Sequence, residues 1–181
     1  VKLAYLHGAL NWAGLITFSV AGILGLAALL ARRSGWYRAT EAAGYAALIV
    51  WFVYIISSIL ITGLTWGQWI AWNEPRVQAT GSILLAALLF VIVARLVNRR
   101  DFTAAVNLVM GIIPWIVISQ ADAIRHPADP IGGSGSTAIQ LYFQLIVLAT
   151  LGLAMTLVVW LWANLELRAA SRATDSRSMP D

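Results

Sequence analysis

The sequence predicts an all-α integral membrane protein, a polytopic bundle of five transmembrane helices, from three observations. Of its 181 residues, 60% are hydrophobic and only 11% are charged, whereas soluble domains carry about 25% charged residues. Five apolar segments reach the roughly 20 residues that cross a bilayer, and arginines cluster in alternate connections. We expect a single transmembrane domain over residues 1–163 and a polar cytoplasmic tail over residues 164–181.

The individual spans follow from the apolar runs. Pro114 lies inside the fourth run and is expected to kink that helix. The polar tail is expected to fray or to lie on the surface. No charged segment and cleavage site precede the first run, so we expect no removable signal peptide. The five expected spans cover about residues 5–31, 42–64, 77–97, 102–121 and 138–163.

The arginine distribution predicts the orientation. Cytoplasmic connections of membrane proteins are enriched in lysine and arginine. Nine of the twelve basic residues lie in the first connection, the third connection and the tail, and only Lys2, Arg76 and Arg125 lie on the other side. The N-terminus is therefore expected outside and the C-terminus in the cytoplasm. The same distribution accounts for the net charge of +4 without a nucleic-acid partner.

The residue types that are missing exclude several function classes. The chain has no cysteine, which excludes disulfides, thiolate metal sites and covalent haem attachment through its own thiols. The middle of each span lacks acidic and basic residues. Ion pumps, proton relays and voltage sensors place ionisable groups there, so these classes are disfavoured.

His7 is the first candidate ligand, and it lies at the outer end of the first span. His7, Asn11 and Gly14 are spaced so that they share one helix face. Gln140 and Gln144 share a face near the outer end of the fifth span and are expected to line the same cavity. The alternative is an interfacial histidine that simply meets water.

His126 is the second histidine of the chain, and it falls on the same expected side. If the fourth helix continues that far, Trp115, Ser119, Asp122 and His126 follow one face, and a proline ends the helix directly afterwards. Neutral imidazole is a common axial ligand of haem iron. Two histidines on one side therefore indicate a haem site, although a solvated loop histidine is the alternative.

A tryptophan-rich run lies between the second and third spans. Trp66, Trp69 and Trp72 are spaced by three, so a helical turn would present them as one aromatic face that can stack on a porphyrin. Arg76 and Arg125 could pair with haem propionates as charge-assisted forks. The alternatives are an interfacial aromatic belt for the tryptophans and lipid-phosphate contacts for the arginines.

This run resembles the signature of a known family. The residues Trp66-Gly67-Gln68-Trp69-Ile70-Ala71-Trp72-Asn73-Glu74-Pro75-Arg76 follow the order of the WWD motif of CcmC/CcsA-type cytochrome c assembly proteins, which handle haem. In that family two external histidines flank the motif and ligate haem, and here they correspond to His7 and His126. The resemblance covers about residues 3–160 and implies non-covalent haem b, with His7 and His126 as axial ligands of the iron.

The chain departs from the family pattern at several points. Asn73 stands where the family usually has aspartate, and Ile70 stands where a tryptophan often occurs. One extra residue separates Asn73 from Arg76. The family usually has at least six helices, whereas five are expected here.

Three functions remain open at this point. The first is a haem-binding protein of cytochrome c biogenesis, without catalytic turnover of its own. It would hold or relay haem at the external face of a prokaryotic cell membrane, or of an equivalent organelle membrane. Its partners would be other membrane subunits, lipid, and a haem chaperone, an apocytochrome c or a periplasmic redox protein. The second is a cytochrome b-type electron-transfer subunit of a respiratory or photosynthetic complex, and the third is a structural membrane subunit without a cofactor.

Overall fold

The computed structural model describes residues 2–122, 124 and 131–178, and every regular element in these ranges is helical. Five stretches of this part of the chain are long and apolar enough to cross a membrane, which confirms the predicted number of apolar helical spans. The helices are α1 (Lys2–Ala31), α2 (Ser34–Trp66), α3 (Pro75–Val97), α4 (Arg100–Met110), α5 (Ile113–Gln120) and α6 (Thr137–Ser178).

The fourth span is divided into α4 and α5 by a turn at Gly111 and Ile112. A proline ring clashes with the carbonyl four residues earlier, and four residues before Pro114 lies Met110, where α4 ends. The helix resumes with Pro114 in the first turn of α5, a position that tolerates proline. In place of the expected kink within one helix, the structure has a two-residue turn directly before α5.

The end of the chain differs from the expectation. The segment from residue 164 onward, expected to be a polar tail, continues α6 as a helix to Ser178. Glu166 explains part of this difference, because its carboxylate pairs with Arg38 of α2 at 2.7 Å and accepts a hydrogen bond from Trp162. Glu166 thus joins the polar part of α6 to α2.

The two ends of the bundle are chemically distinct. At one end, Tyr5 at the start of α1 lies against Tyr142 and Phe143 near the start of α6, and this end also carries the tryptophan run. We call it the His7 end. At the other end, the α1–α2 connection, the α3–α4 turn and the last turns of α6 lie together, as the contact between Arg38 and Glu166 indicates. We call it the arginine end.

Small residues bring the helices into close contact. Ala43 and Ala46 of α2 are buried against Ala21 of α1 and Val158 of α6. A Cβ atom added to Gly25 of α1 would lie 2.5 Å from a backbone carbonyl of α4. In a membrane, van der Waals packing of this kind drives helix association, since lipid is as apolar as the helix faces.

A buried polar contact joins three helices. The side-chain amide of Asn107 on α4 donates to the carbonyl oxygen of Thr40 on α2 at 2.9 Å and to its hydroxyl at 3.1 Å. The hydroxyl of Thr40 in turn donates to the carbonyl oxygen of Ala21 on α1 at 2.8 Å. Such interhelical hydrogen bonds fix the relative positions of apolar helices.

The main core lies around Trp51 in the middle of α2. Its ring is fully buried and packs against Phe18 of α1 and Tyr54, and its indole nitrogen donates to the carbonyl oxygen of Thr80 on α3 at 3.1 Å. Gly14 of α1 leaves room for the ring, because a Cβ atom there would lie 2.7 Å from it. Trp51 thus joins the α1–α2 pair to α3.

Candidate functional site

The imidazole of His7 is held by two residues of α2. Its Nδ1 lies 3.0 Å from the hydroxyl oxygen of Ser57, and its ring stacks on Tyr54 with the centroids 4.8 Å apart and the planes 22° from parallel. Ser57 and Tyr54 are one helical turn apart, so they present one face of α2 to His7. The stacking on Tyr54 therefore fixes the plane of the ring, and the contact with Ser57 fixes the position of its Nδ1 edge.

The hydrogen bonds of Ser57 determine the tautomer of His7. The Ser57 hydroxyl donates its only proton to the carbonyl oxygen of Tyr54 at 2.6 Å. It can therefore only accept from His7, so Nδ1 carries the proton and the basic lone pair lies on Nε2. This is the arrangement of a ligating histidine whose second nitrogen donates to a neighbouring oxygen.

The tryptophan run does not form the expected helical face. Trp66 is the last residue of α2, and Gly67 ends the helix in the left-handed conformation with φ of 68°. Trp69 and Trp72 lie in the irregular segment that follows, with 60% and 66% of their surfaces exposed. The expectation of three indoles on one helical face is thus wrong, because α2 ends at the first of them.

Trp69 is nevertheless anchored to α2. Its ring covers Gly63, where an added Cβ atom would lie 2.5 Å from the ring, and its carbonyl oxygen accepts from the hydroxyl of Thr62 at 2.8 Å. Gly63 lies about 9 Å beyond Ser57 along α2 and on a different face. In the described part of the chain, no ring contact joins His7 to a tryptophan of the run.

The residues after the tryptophans tie this loop to the end of α5. Glu74 is buried, with 1% of its surface exposed, and its carboxylate accepts from the backbone N–H of Ile124 at 3.0 Å. The Nε of Arg76 donates to the carbonyl oxygen of Ala121 at 3.4 Å. Asn73, between them and Trp72, is exposed. The burial of Glu74 was not predicted from the sequence. The signal that could have indicated it is the position of a carboxylate inside an aromatic run.

A cavity of about 860 Å³ opens between α1, α5 and α6 at the His7 end. This volume lies in the range of about 300–1,000 Å³ that is typical of ligand sites. Gln140 and Gln144 both line the cavity, as their spacing predicts, and Arg76 and Asn11 add further polar groups to it. Asn11 is one turn beyond His7 on α1, whereas His7 itself packs on α2 and is not one of the residues that line the cavity.

The aromatic wall of this cavity was not predicted from the sequence. Trp12 of α1 and Trp115 of α5 line it, with ring centroids 5.9 Å apart and planes at 60°. The indole nitrogen of Trp115 donates to the hydroxyl of Ser19 at 2.8 Å. The side-chain oxygen of Asn11 is buried without a hydrogen-bond partner.

Two predicted site residues, Arg125 and His126, lie outside the described residues. The helical face that was expected to lead to His126 does end early. The last residue of α5 is Gln120, and Ala121 is extended with φ of −85° and ψ of 112°. Asp122 therefore does not continue the face formed by Trp115 and Ser119.

Among the described residues, no group of three or more histidine, cysteine, aspartate or glutamate side chains is placed to hold a metal ion. A haem iron needs no such group, since the macrocycle supplies four ligands and the protein one or two. Comparison with known proteins gave no match to a family model, a curated protein or a solved structure. The site is therefore argued from its own residues.

Proposed function

We propose that this chain is a polytopic membrane protein that holds haem b non-covalently at the His7 end and presents or relays it for cytochrome c maturation. The observation that carries this proposal is the environment of His7. Its Nδ1 donates to Ser57 and its ring is stacked on Tyr54, and one turn further along α1 Asn11 lines a cavity of about 860 Å³ to which Arg76 also contributes.

The residues around the cavity fit the chemistry of haem. Nε2 of His7 would ligate the iron, and Arg76 would pair with a propionate. Trp12 and Trp115 offer aromatic surface to an apolar macrocycle. When bound, haem supplies an iron that can change oxidation state. This chain's own residues orient the ligand, exclude water with the apolar wall and neutralise a carboxylate.

The orientation that we propose places the His7 end outside the cell and the arginine end in the cytoplasm, following the arginine distribution. Haem handling then takes place on the external face, where an apocytochrome c or a haem chaperone can reach it. The exposed rings of Trp69 and Trp72 at this end suit contact with haem or with such a partner. His126 would supply the second axial ligand if it reaches the same haem.

Labelling of introduced cysteines tests the orientation. The natural chain has no cysteine, so a single introduced thiol is the only target for a membrane-impermeant maleimide. In intact cells we expect labelling of Gly135→Cys, in the turn before α6, and no labelling of Arg33→Cys, between α1 and α2. Both sites are exposed. Labelling of Arg33→Cys alone would show the opposite orientation. Detergent-solubilised protein is the control, because both thiols should react there.

Transfer of haem to an acceptor tests the proposed role. The purified haem-loaded protein is mixed with apomyoglobin, and the transfer is followed by the change in visible absorption. A haem-handling protein should release its haem within minutes. A protein that keeps its haem for many hours, yet is reduced and reoxidised reversibly at a fixed potential, would instead be an electron-transfer subunit. A protein that binds no haem would be left as a structural subunit.

A further inference from the structure

A second cavity lies at the arginine end, far from His7. It has a volume of about 510 Å³ and is surrounded by α2, α3, α4 and α6. Six arginines from four different segments converge on it. They are Arg38, Arg95, Arg99, Arg100, Arg168 and Arg172.

The carboxylates at this cavity are fewer and already have partners. Glu41 lines it and lies 3.7 Å from the guanidinium of Arg95. Glu166 pairs with Arg38, and Asp101 accepts a hydrogen bond from the hydroxyl of Tyr37. Glu41 is thus the carboxylate in the lining, and even when Glu166 and Asp101, which contact the lining residues Arg38 and Tyr37, are counted, the six guanidinium groups exceed the carboxylates by three.

Four of these arginines make no ion pair with any described side chain. They come from the α3–α4 turn and from α6, and they are Arg99, Arg100, Arg168 and Arg172. The Nε atom of Arg38 is buried without a hydrogen-bond partner, although Nη2 of the same guanidinium holds Glu166. A buried donor without an acceptor is costly.

Two further features define the ligand. The N-terminus of α4 lies at the cavity with no side-chain cap on its N–H groups, and such a terminus favours an anion. The cavity wall also includes the apolar side chains of Phe90, Val106 and Leu165. Guanidinium groups bind phosphate oxygens with two parallel hydrogen bonds, and basic pockets between membrane helices hold phospholipid headgroups.

We propose that the arginine cavity binds a phosphate group, carried either by an anionic phospholipid or by a soluble phosphate ester. The arginines of α6 and of the α3–α4 turn hold the phosphate oxygens. A bound phosphate links α3 and α4 to α6 at this end of the bundle. This site is independent of the proposed haem site.

The test compares two charge-matched double variants in neutral detergent. Arg168→Gln/Arg172→Gln removes two guanidinium groups from the cavity, whereas Arg32→Gln/Arg33→Gln removes two from the same end but outside the cavity. Binding of dioleoylphosphatidylglycerol is measured by native mass spectrometry, with dioleoylphosphatidylcholine as the neutral lipid. Inorganic phosphate and diphosphate are titrated separately by calorimetry.

We expect the cavity variant to bind the anionic lipid about 10- to 30-fold more weakly than wild type, since each basic residue near a membrane surface contributes about 1 kcal/mol. The control variant should change the affinity less than threefold. The same pattern with diphosphate and none with lipid would assign the site to a soluble phosphate ester.

Equal weakening in both double variants would overturn the proposal, because it would show only general surface electrostatics. Failure of wild type to bind either the lipid or the phosphates would overturn it too. Arg99→Gln/Arg100→Gln approaches the cavity from the α3–α4 turn and provides an independent variant if the α6 variant does not fold.

Discussion

The variant His7→Ala is expected to lose the low-spin haem spectrum that the proposed site predicts for the wild-type protein. Alanine removes the imidazole that is proposed to ligate the iron, while its helix propensity keeps α1 intact. Adding free imidazole should restore part of the low-spin spectrum, since removal of the His7 ring leaves space for it beside Ser57 and Tyr54. Absorption spectra of the oxidised and reduced variant, with and without imidazole, measure both effects. A spectrum identical to wild type would show that His7 is not a ligand.

Ser57→Ala separates ligation from orientation of the ring. Loss of a neighbouring group that orients a metal ligand typically weakens binding about 10- to 100-fold, and we expect this range for the haem affinity. Ser58→Ala is the matched control, because it makes the same change one residue along α2, away from the Nδ1 of His7. Equal weakening in the two variants would contradict the role given to Ser57.

Trp51→Ala is expected to cause the largest loss of stability in the bundle. Truncation of a buried tryptophan costs about 3–5 kcal/mol. Here it also removes the hydrogen bond to Thr80, which joins α2 to α3. The free energy of unfolding, measured by denaturation in mixed micelles, should fall by an amount in this range, with α3 becoming the most accessible helix to proteolysis.

Two further variants sharpen this prediction. Trp51→Phe keeps most of the ring and loses the indole N–H, so it should cost clearly less than Trp51→Ala. Trp160→Ala removes a ring that is 61% exposed and should leave the free energy of unfolding nearly unchanged. If Trp160→Ala were as destabilising as Trp51→Ala, the core assigned to Trp51 would be wrong.

The helices were predictable from the sequence because their signals are local. An apolar run of sufficient length defines a span, and Pro114 was enough to predict a distortion of the fourth span, although as a kink and not as a division into α4 and α5. The length of α6 was not predictable in this way. In its polar part, Glu166 pairs with Arg38 of α2. Because these two residues are far apart in the sequence, the local pattern does not show the contact.

The candidate site was predictable only in part, because its contacts join residues that are far apart in the sequence. His7 was identified from its rarity and position, but Ser57 and Tyr54 lie some 50 residues away inside an apolar helix and carry no motif. The spacing of Trp66, Trp69 and Trp72 suggested a helical face, but α2 ends at Trp66 and is capped by Gly67. The periodicity of the tryptophans does not show where the helix ends. Trp12 and Trp115 meet only after α1 and α5 pack.

The most direct test of the proposed function is a haem titration of the purified wild-type protein, followed by its visible absorption in the oxidised and reduced states. The proposal predicts saturation at one haem per chain and the narrow reduced bands of a b-type haem, both lost in His7→Ala. A wild-type protein that remains colourless after addition of haem would contradict the proposal.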